Sequence, residues 1–357
     1  MTGGKGSEPT TDPLTFEELQ LAGRNRGMPL EALQYDITPN GLHYLLIHFD
    51  IPAIDAPEWR LRVHGAVARA LTLSLDDIRA LPRRTVTVTM ECAGNGRARL
   101  TPRPLSQPWL VEAIGTAQWT GVSLSDVTSR AGLRDDAVEM VFSGADRGVQ
   151  GEVEHSYQRS LGLDEAAHPD VLLAYEMNGE PLQPQHGFPL RLLVPGWYGM
   201  TSVKWLTSIE AVTEPFEGFQ QAVAYRYMAG EDDPGTPVTR IKPRALMVPP
   251  GIPDFFSRRR LVENGNVALI GRAWSGQGAI ERVEVGIDGT WHEATLGQSV
   301  GDYAWRGWSF DWSALPGEHE LSCRATDSAG GVQPLEQPWN WQGMGNNMAQ
   351  VVPVTVR

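Results

Sequence analysis

The stretch RTVTVTMECAGNGR, residues 84–97, predicts a β-strand that ends in a tight turn beside a lone cysteine. Threonines alternate with apolar residues from Thr85 to Met90, which is the period of a half-buried strand. Cys92 continues the apolar parity, so its side chain would point into the core. Gly94 and Gly96 then let the backbone turn tightly or approach a bound group closely. The stretch therefore has the pattern of a strand that ends at a ligand-binding site.

A buried free cysteine more often serves packing than chemistry, and the local sequence alone favours that role for Cys92. The second cysteine illustrates the packing case. Cys323 lies in HELSCRATDSAGG, residues 319–331, where it shares its parity with Leu321 and Ala325. Neither a glycine turn nor a basic cluster stands beside it, so we predict that Cys323 is a core residue.

The composition limits the function classes. A chain of 357 residues with 41% hydrophobic residues predicts two domains with real cores. The formal charge of −13 argues against a general nucleic-acid partner. Two cysteines without a Cys-x-x-Cys pattern exclude zinc ribbons, iron–sulfur clusters and covalent c-type haem, so we expect no haem and a separate electron carrier.

The patterns near the N-terminus and along the chain predict no membrane association. The first twenty residues have no apolar h-region, and no later run approaches 18 apolar residues. We therefore expect a cytoplasmic protein, or an exported one if a leader was removed.

Three segments differ in composition. Residues 1–35 predict an N-terminal extension, disordered over about residues 1–13. Residues 36–235 mix strand patterns with a few helical ones, SLDDIRAL (74–81) and SLSDVTSRAGL (123–133), each with a serine before an acidic first turn. This irregular mixture predicts an α+β domain.

Residues 236–357 predict a second, all-β domain. A proline-rich stretch at 231–256 has the composition of a linker or a long surface connection. After it, short strand patterns recur at near-regular spacing, separated by DG, PG and AGG turns. This pattern favours an immunoglobulin-like β-sandwich without the usual disulfide.

Two further stretches place basic residues near apolar strands. In HGFPLRLLVPGWYGMTSVKWL, residues 186–206, Arg191 and Lys204 flank a glycine-rich turn. In YAWRGWSFDW, residues 303–312, Arg306 lies among tryptophans. Both suit an anionic group such as a phosphate, although salt bridges and cation–π packing are the commoner roles.

Four segments together carry a family resemblance: ECAGNGR (91–97), AIGTAQWTGVSL (113–124), residues 170–206 and WNWQGMGNNMAQVVPV (339–354). In this order they resemble the sulfite oxidase family of molybdenum-cofactor enzymes, over residue 36 to the C-terminus. The resemblance implies a molybdopterin-binding catalytic domain, followed by an immunoglobulin-like dimerisation domain that forms a homodimer.

The resemblance also implies a set of site residues. In the family, molybdenum is held by one pterin per chain and by one protein thiolate, which falls on Cys92; soft sulfur suits this metal. The positions matching the cofactor-binding residues are His48, Cys92, Asp146, His186, Arg191, Ser202 and Lys204. The positions assigned to the catalytic and substrate pocket are Cys92, Arg97, Trp109, Tyr157 and Arg306.

One position departs from the family pattern. Relatives have an arginine that reaches the substrate anion where this chain reads YLLIHFDIP, residues 44–52, with Leu46 at that position. A charge-assisted contact is worth about 1.5 to 3 kcal/mol, so its loss would weaken anion binding roughly ten- to a hundredfold. Arg99, Arg103 and His43 are candidates to replace it.

The leading hypothesis is the oxidation of sulfite to sulfate, with electrons passed to an external acceptor such as a cytochrome or oxygen. Arg97 and Arg306 would bind the substrate, and Tyr157 would donate a hydrogen bond beside the molybdenum. Two alternatives stay open: reduction of a sulfoxide such as methionine sulfoxide on the same cofactor, and a non-catalytic binding protein.

Overall fold

The computed structural model describes residues 10–357. The predicted N-terminal disorder lies outside the described residues for positions 1–9. It is wrong for residue 10, because Thr10 pairs with Arg103 through two backbone hydrogen bonds. The described chain forms a mixed α and β unit followed by a β-sandwich, which confirms the predicted fold class.

Five short α-helices lie in the part of the first unit that the structure describes. The two predicted helices are present as α2 and α3, and α2 begins with a capping box made by Ser74 and Asp77. The helices are α1 (Phe16–Arg24), α2 (Leu75–Arg79), α3 (Leu124–Ala131), α4 (Leu163–Ala166) and α5 (Phe219–Ala222).

Two five-stranded sheets and a small hairpin make up the rest of this unit. The strands are β1 (Leu61–Gly65), β2 (Leu71–Leu73), β3 (Arg83–Glu91), β4 (Ile114–Ser123), β5 (Glu139–Gln150), β6 (Val153–Gly162), β7 (Leu172–Met177), β8 (Glu180–Pro181), β9 (Arg191–Leu193), β10 (Leu206–Val212), β11 (Arg226–Tyr227) and β12 (Thr236–Pro237). One sheet has the order β2-β1-β10-β5-β6, the other has β3-β4-β7-β8 with β9 on β7, and β11 pairs with β12.

The second unit is a sandwich of a four-stranded sheet, β13-β16-β20-β19, and a six-stranded sheet, β14-β15-β22-β21-β17-β18. Its strands are β13 (Arg244–Met247), β14 (Ile252–Pro253), β15 (Arg260–Val262), β16 (Gly265–Trp274), β17 (Ile280–Ile287), β18 (Thr290–Glu293), β19 (Thr295–Ser299), β20 (Arg306–Ala314), β21 (Gly317–Asp327) and β22 (Gln350–Val356). Cys323 is fully buried between the sheets, as predicted.

The proline-rich stretch is more than a linker. Within it, residues 244–247 form the buried strand β13, which pairs with β16 from Arg244↔Trp274 to Met247↔Gly271. The prediction of a linker was wrong there, because the core strand has only four residues and prolines stand on both sides of it. An apolar cluster that includes Ile114, Trp274 and Trp305 then joins the two units.

No helix among residues 10–357 is long and apolar enough to cross a membrane.

Candidate active site

The site begins where β3 ends. β3 pairs with β4 in unbroken register from Arg83↔Val122 to Glu91↔Ile114, and the backbone N–H of Cys92 still donates to the carbonyl of Ala113 at 2.9 Å. The chain then turns, with Asn95 N–H donating back to Cys92 O at 3.0 Å. The Cys92 thiol is free and buried. Strand alternation thus points it inward, as the sequence predicted.

The turn folds Arg97 back toward the thiol. Gly96 adopts a φ of +88°, and a Cβ on Gly94 would lie only 2.7 Å from the Arg97 guanidinium. Both glycines are therefore required by geometry. Burial raises the pKa of Cys92, while the Gly94 backbone, the charge of Arg97 and the neighbouring Trp109 oppose that rise.

Arg97 has neutral partners only. It donates to the carbonyls of Gln342 (3.1 Å) and Gln107 (3.3 Å) and contacts the Met344 sulfur at 3.4 Å. No ion pair joins it to a carboxylate of residues 10–357. A buried cation without a counter-ion is costly, so this position suits an anionic ligand.

The second unit supports the turn through its C-terminal segment. Besides Gln342 and Met344, Gly345 N–H donates to Ala93 O at 2.6 Å, and the Asn346 amide donates to Gly96 O at 2.7 Å. Sequence reasoning expected a contribution from the second domain but chose the wrong residue for it.

Arg306 is not at the site. It lies at the start of β20, where it donates to the carbonyls of Gly297 (2.7 Å) and Ile280 (3.0 Å) within the sandwich. An arginine among alternating tryptophans occurs in sandwich cores as well as in anion sites. The sequence pattern alone therefore did not distinguish the two. Its assignment to the substrate pocket is therefore corrected.

A cavity of about 70 Å³ opens beside Cys92 and is partly open to solvent. Its walls bring together most of the residues predicted from the family resemblance. The predicted cofactor and substrate residues that line it are His48, Cys92, Asp146, Tyr157, His186, Arg191, Ser202 and Lys204. Arg97 and Trp109 lie behind the cysteine turn, both buried.

Two cations lie in the cavity wall, the buried Arg191 and the partly buried Lys204. Arg191 donates to the carbonyls of His186 (3.1 Å) and Ser202 (3.0 Å) and stacks over Trp119 at 4.8 Å. Lys204 donates from Nζ to the carbonyls of Leu46 (2.7 Å) and Gln185 (3.0 Å). Burial lowers the pKa of Arg191 to about 10 and that of Lys204 to about 7. A bound anion would offset this cost.

Asp146 contributes a carboxyl group to the cavity wall. Burial raises its pKa to about 6, and Lys204 opposes the rise. A Cβ on Gly144 would lie 2.5 Å from the Asp146 carboxylate, so the glycine makes room for it. Asp146 and Lys204 are therefore coupled: the charge of Lys204 lowers the pKa of Asp146, and the charge of Asp146 raises the pKa of Lys204.

The histidines of the cavity are neutral near pH 7. Burial is the main cause that lowers the pKa of His43 and His48 to about 4 and that of His186 to about 2. His48 contacts the Gln150 side chain at 2.8 Å, and Nε2 of His43 has no hydrogen-bond partner. Nδ1 of His43 lies 3.0 Å from the Tyr44 carbonyl and therefore carries the ring proton, so Nε2 can accept a hydrogen bond from a ligand without adding charge.

No predicted substitute restores the cation missing at Leu46, which lines the cavity. His43 reaches the cavity but is neutral there. Arg103 is held by the carboxylate of Glu18 at 2.9 Å, and Arg99 lines a separate groove next to Glu112. These three hypotheses are therefore wrong for the described structure.

Tyr157 and Tyr225 both line the cavity. The Tyr157 hydroxyl donates to Met200 O at 2.7 Å. A hydroxyl carries one proton and a carbonyl can only accept, so Tyr157 has no proton left for a ligand. Sequence reasoning missed Tyr225, whose placement depends on a left-handed backbone (φ +56°) that the motif spacing did not reveal.

The donor set fits a molybdenum-bound pterin. No group of three or more His, Cys, Asp or Glu residues among positions 10–357 could hold a metal ion. A metal at Cys92 must therefore take its other ligands from a cofactor. The unpartnered His43 nitrogen and the cations Arg191 and Lys204 provide polar contacts for the body of such a cofactor and for a phosphate.

Comparison with known proteins agrees with this geometry. Residues 48–220 match the family model of the oxidoreductase molybdopterin binding domain, and residues 256–357 match that of the Mo-co oxidoreductase dimerisation domain. Mitochondrial sulfite oxidase from Mus musculus is 36% identical over 96% of this chain and 67% of its own length. Sulfite oxidase from Arabidopsis thaliana is 33% identical over 97% of this chain and 96% of its own length.

A solved structure shares the fold. The sulfane dehydrogenase SoxCD from Paracoccus pantotrophus has a TM-score of 0.81 and 24% identity, covering 97% of this chain and 93% of that one. The identities and coverages of the two sulfite oxidases show that this chain belongs to the sulfite oxidase family of molybdopterin-binding oxidoreductases.

Proposed function

We propose that this protein oxidises sulfite to sulfate and passes the electrons to an external acceptor. One observation carries the proposal. The Cys92 thiol lines a cavity whose wall holds the cations Arg191 and Lys204, next to a turn that holds the buried cation Arg97. Among residues 10–357, neither Arg191 nor Arg97 forms an ion pair with a carboxylate. The relatives named sulfite oxidase support the identity of the anion.

The protein would hold the cofactor at both ends of the cavity. Cys92 would bind molybdenum as a thiolate, which Arg97 and Trp109 already favour against burial. Arg191 and Lys204 would hold the phosphate of the pterin. When bound, molybdopterin supplies the two-electron oxidation of the substrate.

The protein side chains would handle the substrate anion and its protons. Arg97 would attract sulfite and stabilise the charge on its oxygens. Tyr225 and Tyr157, whose side chains are hydrogen-bonded to each other at the cavity wall, would lie beside the substrate. The burial of these groups excludes water and strengthens both interactions.

The test compares two cysteine variants of the purified holoprotein. Cys92→Ser should lose bound molybdenum and at least a thousandfold of sulfite-dependent cytochrome c or ferricyanide reduction, because serine replaces the soft sulfur ligand. Cys323→Ser, in the sandwich core, should keep both. If Cys92→Ser keeps full turnover, the proposal is wrong.

Leu46 favours one alternative reaction. An apolar wall tolerates a neutral sulfoxide better than an anion. Reductant-driven turnover of methionine sulfoxide should therefore be compared with sulfite oxidation in the same preparation. A kcat/KM for the sulfoxide that exceeds the sulfite value would make sulfoxide reduction the main function.

We also propose a homodimer formed through the second unit, on the basis of the match to a dimerisation domain. Sedimentation at micromolar concentration should give about twice the 39.2 kDa of the chain. A monomer under these conditions would contradict the proposal. A cytochrome or oxygen is the proposed electron acceptor, to be separated by comparing turnover with each.

A further inference from the structure

Arg159 is a buried cation beside the cavity that neither the sequence motifs nor the proposed mechanism uses. It lies on β6, paired with Phe142 of β5, and only 1% of its surface is exposed. Nη1 of Arg159 donates to the carbonyl of Gln220, while Nε of Arg159 has no hydrogen-bond partner among residues 10–357. Within residues 10–357 no carboxylate forms an ion pair with it.

The neighbours of Arg159 are the two tyrosines of the cavity. Its guanidinium carbon lies 5.8 Å from the centroid of the Tyr225 ring, a cation–π distance. Tyr157 is two residues away on the same face of β6. Arg159 therefore lies behind the phenols, and Tyr225 lines the cavity together with Cys92.

Tyr225 needs support in this position. Its backbone φ of +56° is sparsely populated by residues other than glycine, and strained backbones persist only where the surroundings hold them. A backbone hydrogen bond from Val238 fixes its carbonyl at 2.9 Å. The contact with Arg159 fixes the ring, so backbone and ring are held from different elements.

The two tyrosines form a hydrogen-bonded pair beside Arg159. The Tyr157 proton is committed to Met200 O at 2.7 Å, and the Tyr225 hydroxyl is hydrogen-bonded to the Tyr157 side chain. A nearby cation strengthens a phenol as a hydrogen-bond donor, because it stabilises negative charge on the oxygen. The same charge attracts an anion over a longer distance in a buried site than at the surface.

We propose that Arg159 is a positioning and specificity-determining residue for the anionic substrate: it holds the Tyr225 ring at the cavity wall and supplies, from behind it, positive charge that the Leu46 position lacks. The inference rests on the proposed function for the identity of the anion. Arg159 acts through Tyr225 and does not touch the substrate.

The test uses Arg159→Met and Arg159→Lys holoproteins, with Arg147→Met as the matched control. Arg147 lies in the same β5–β6 hairpin but is exposed and paired with Glu154 at 2.9 Å. Arg159→Met should raise the KM for sulfite and the Kd for sulfate about tenfold, with kcat changed less than threefold. Arg159→Lys should recover part of this loss, and Arg147→Met should match the wild type.

Calorimetric titration with sulfate measures the Kd without turnover. The molybdenum content of each variant shows whether its site is still folded. Combining Arg159→Met with Tyr225→Phe should add little to the effect of either change, since both act at one hydroxyl. The inference is overturned if sulfate Kd and sulfite KM of Arg159→Met stay within twofold of wild type. It is also overturned if the two changes are additive, or if both Arg159 variants lose molybdenum and sulfate binding in parallel.

Failure of the proposed function would look different. A wild type that binds sulfate but does not oxidise sulfite would remove that function, while a weaker sulfate Kd in Arg159→Met would still support the role of Arg159 in binding the anion.

Discussion

At the scale of single residues, three buried arginines that have no carboxylate ion pair among residues 10–357 lie in or behind the cavity wall, which also has one apolar exception. Arg97, Arg191 and Arg159 are all at least 95% buried, with neutral partners only. Leu46 lines the cavity at the position for which the family resemblance predicts a further arginine. The chain therefore keeps a positive cavity, but the charge comes from different positions.

Leu46→Arg should strengthen anion binding. The backbone carbonyl of Leu46 accepts from Lys204, and this contact does not depend on the side chain. A guanidinium in the cavity wall should lower the KM for sulfite about tenfold, equivalent to roughly 1.4 kcal/mol. Steady-state kinetics check this, with Leu46→Met as the control that should not change KM. A higher KM in Leu46→Arg would show that the cavity cannot accept another cation.

His43 makes the protein sensitive to acid. Its folded-state pKa of about 4 lies below the unfolded value of 6.5, so as pH falls the unfolded chain binds the proton first. The stabilisation is complete above pH 6.5 and is lost as pH falls to 4, by about 3 kcal/mol. His48 contributes with the same sign.

The measurement is the free energy of unfolding by urea at pH 7 and pH 4, without bound cofactor. Between pH 7 and pH 4, the free energy of unfolding of His43→Gln should fall by about 3 kcal/mol less than that of the wild type. His64→Gln, which replaces a part-exposed histidine on β1, is the control for the loss of a histidine as such. An unchanged pH dependence in His43→Gln would contradict the prediction.

At the scale of elements, β3 is anchored to β13 of the sandwich directly before the cysteine. Arg244 Nε lies 2.9 Å from a Glu91 carboxylate oxygen, and both side chains are 1% exposed. Glu91 also accepts from Trp274 (2.8 Å) and Asn95 (3.0 Å). A fully bonded carboxylate next to Cys92 fixes where the strand ends and the turn begins.

Arg244→Met should lower the free energy of unfolding by roughly 3 to 5 kcal/mol, because it leaves the Glu91 charge buried without its cation. Molybdenum content should fall as well, since the cysteine turn loses its anchor. Urea unfolding and metal analysis check both effects. Arg240→Met, which breaks an exposed pair with Glu165, is the control and should cost at most about 1 kcal/mol. Equal losses in the two variants would contradict a special role for Glu91 and Arg244.

At the scale of the whole molecule, the two units share a buried interface that includes the site. An apolar cluster spans it, and the C-terminal segment contacts the cysteine turn through Gln342 and Asn346. The site therefore depends on both units, although Cys92 and the cavity residues all come from the first.

The units should accordingly unfold together. Far-ultraviolet circular dichroism, which follows both units, and enzyme-bound molybdenum, which follows the site, should give coincident transitions in urea. Cys323→Ser perturbs only the sandwich core and should shift both transitions by the same amount. Two separated transitions would show that the interface is weaker than its burial indicates.

The sequence determined the features that depend on local pattern. Alternating threonines and apolar residues in β3 predicted the strand and the inward thiol of Cys92, and Ser74 predicted the start of α2, because side-chain parity and capping are set within a few residues. Motif matching placed His48, Asp146, His186, Arg191, Ser202 and Lys204, which the structure brings to one cavity.

Only the tertiary structure decided which distant groups meet. It moved the second-unit contribution from Arg306 to residues 342–346, showed that Tyr157 gives its proton to Met200, and brought Tyr225 and Arg159 to the site. The physical reason is that partners far apart in the chain decide whether a buried arginine keeps a free charge or a hydroxyl keeps a free proton, and no local pattern records those partners.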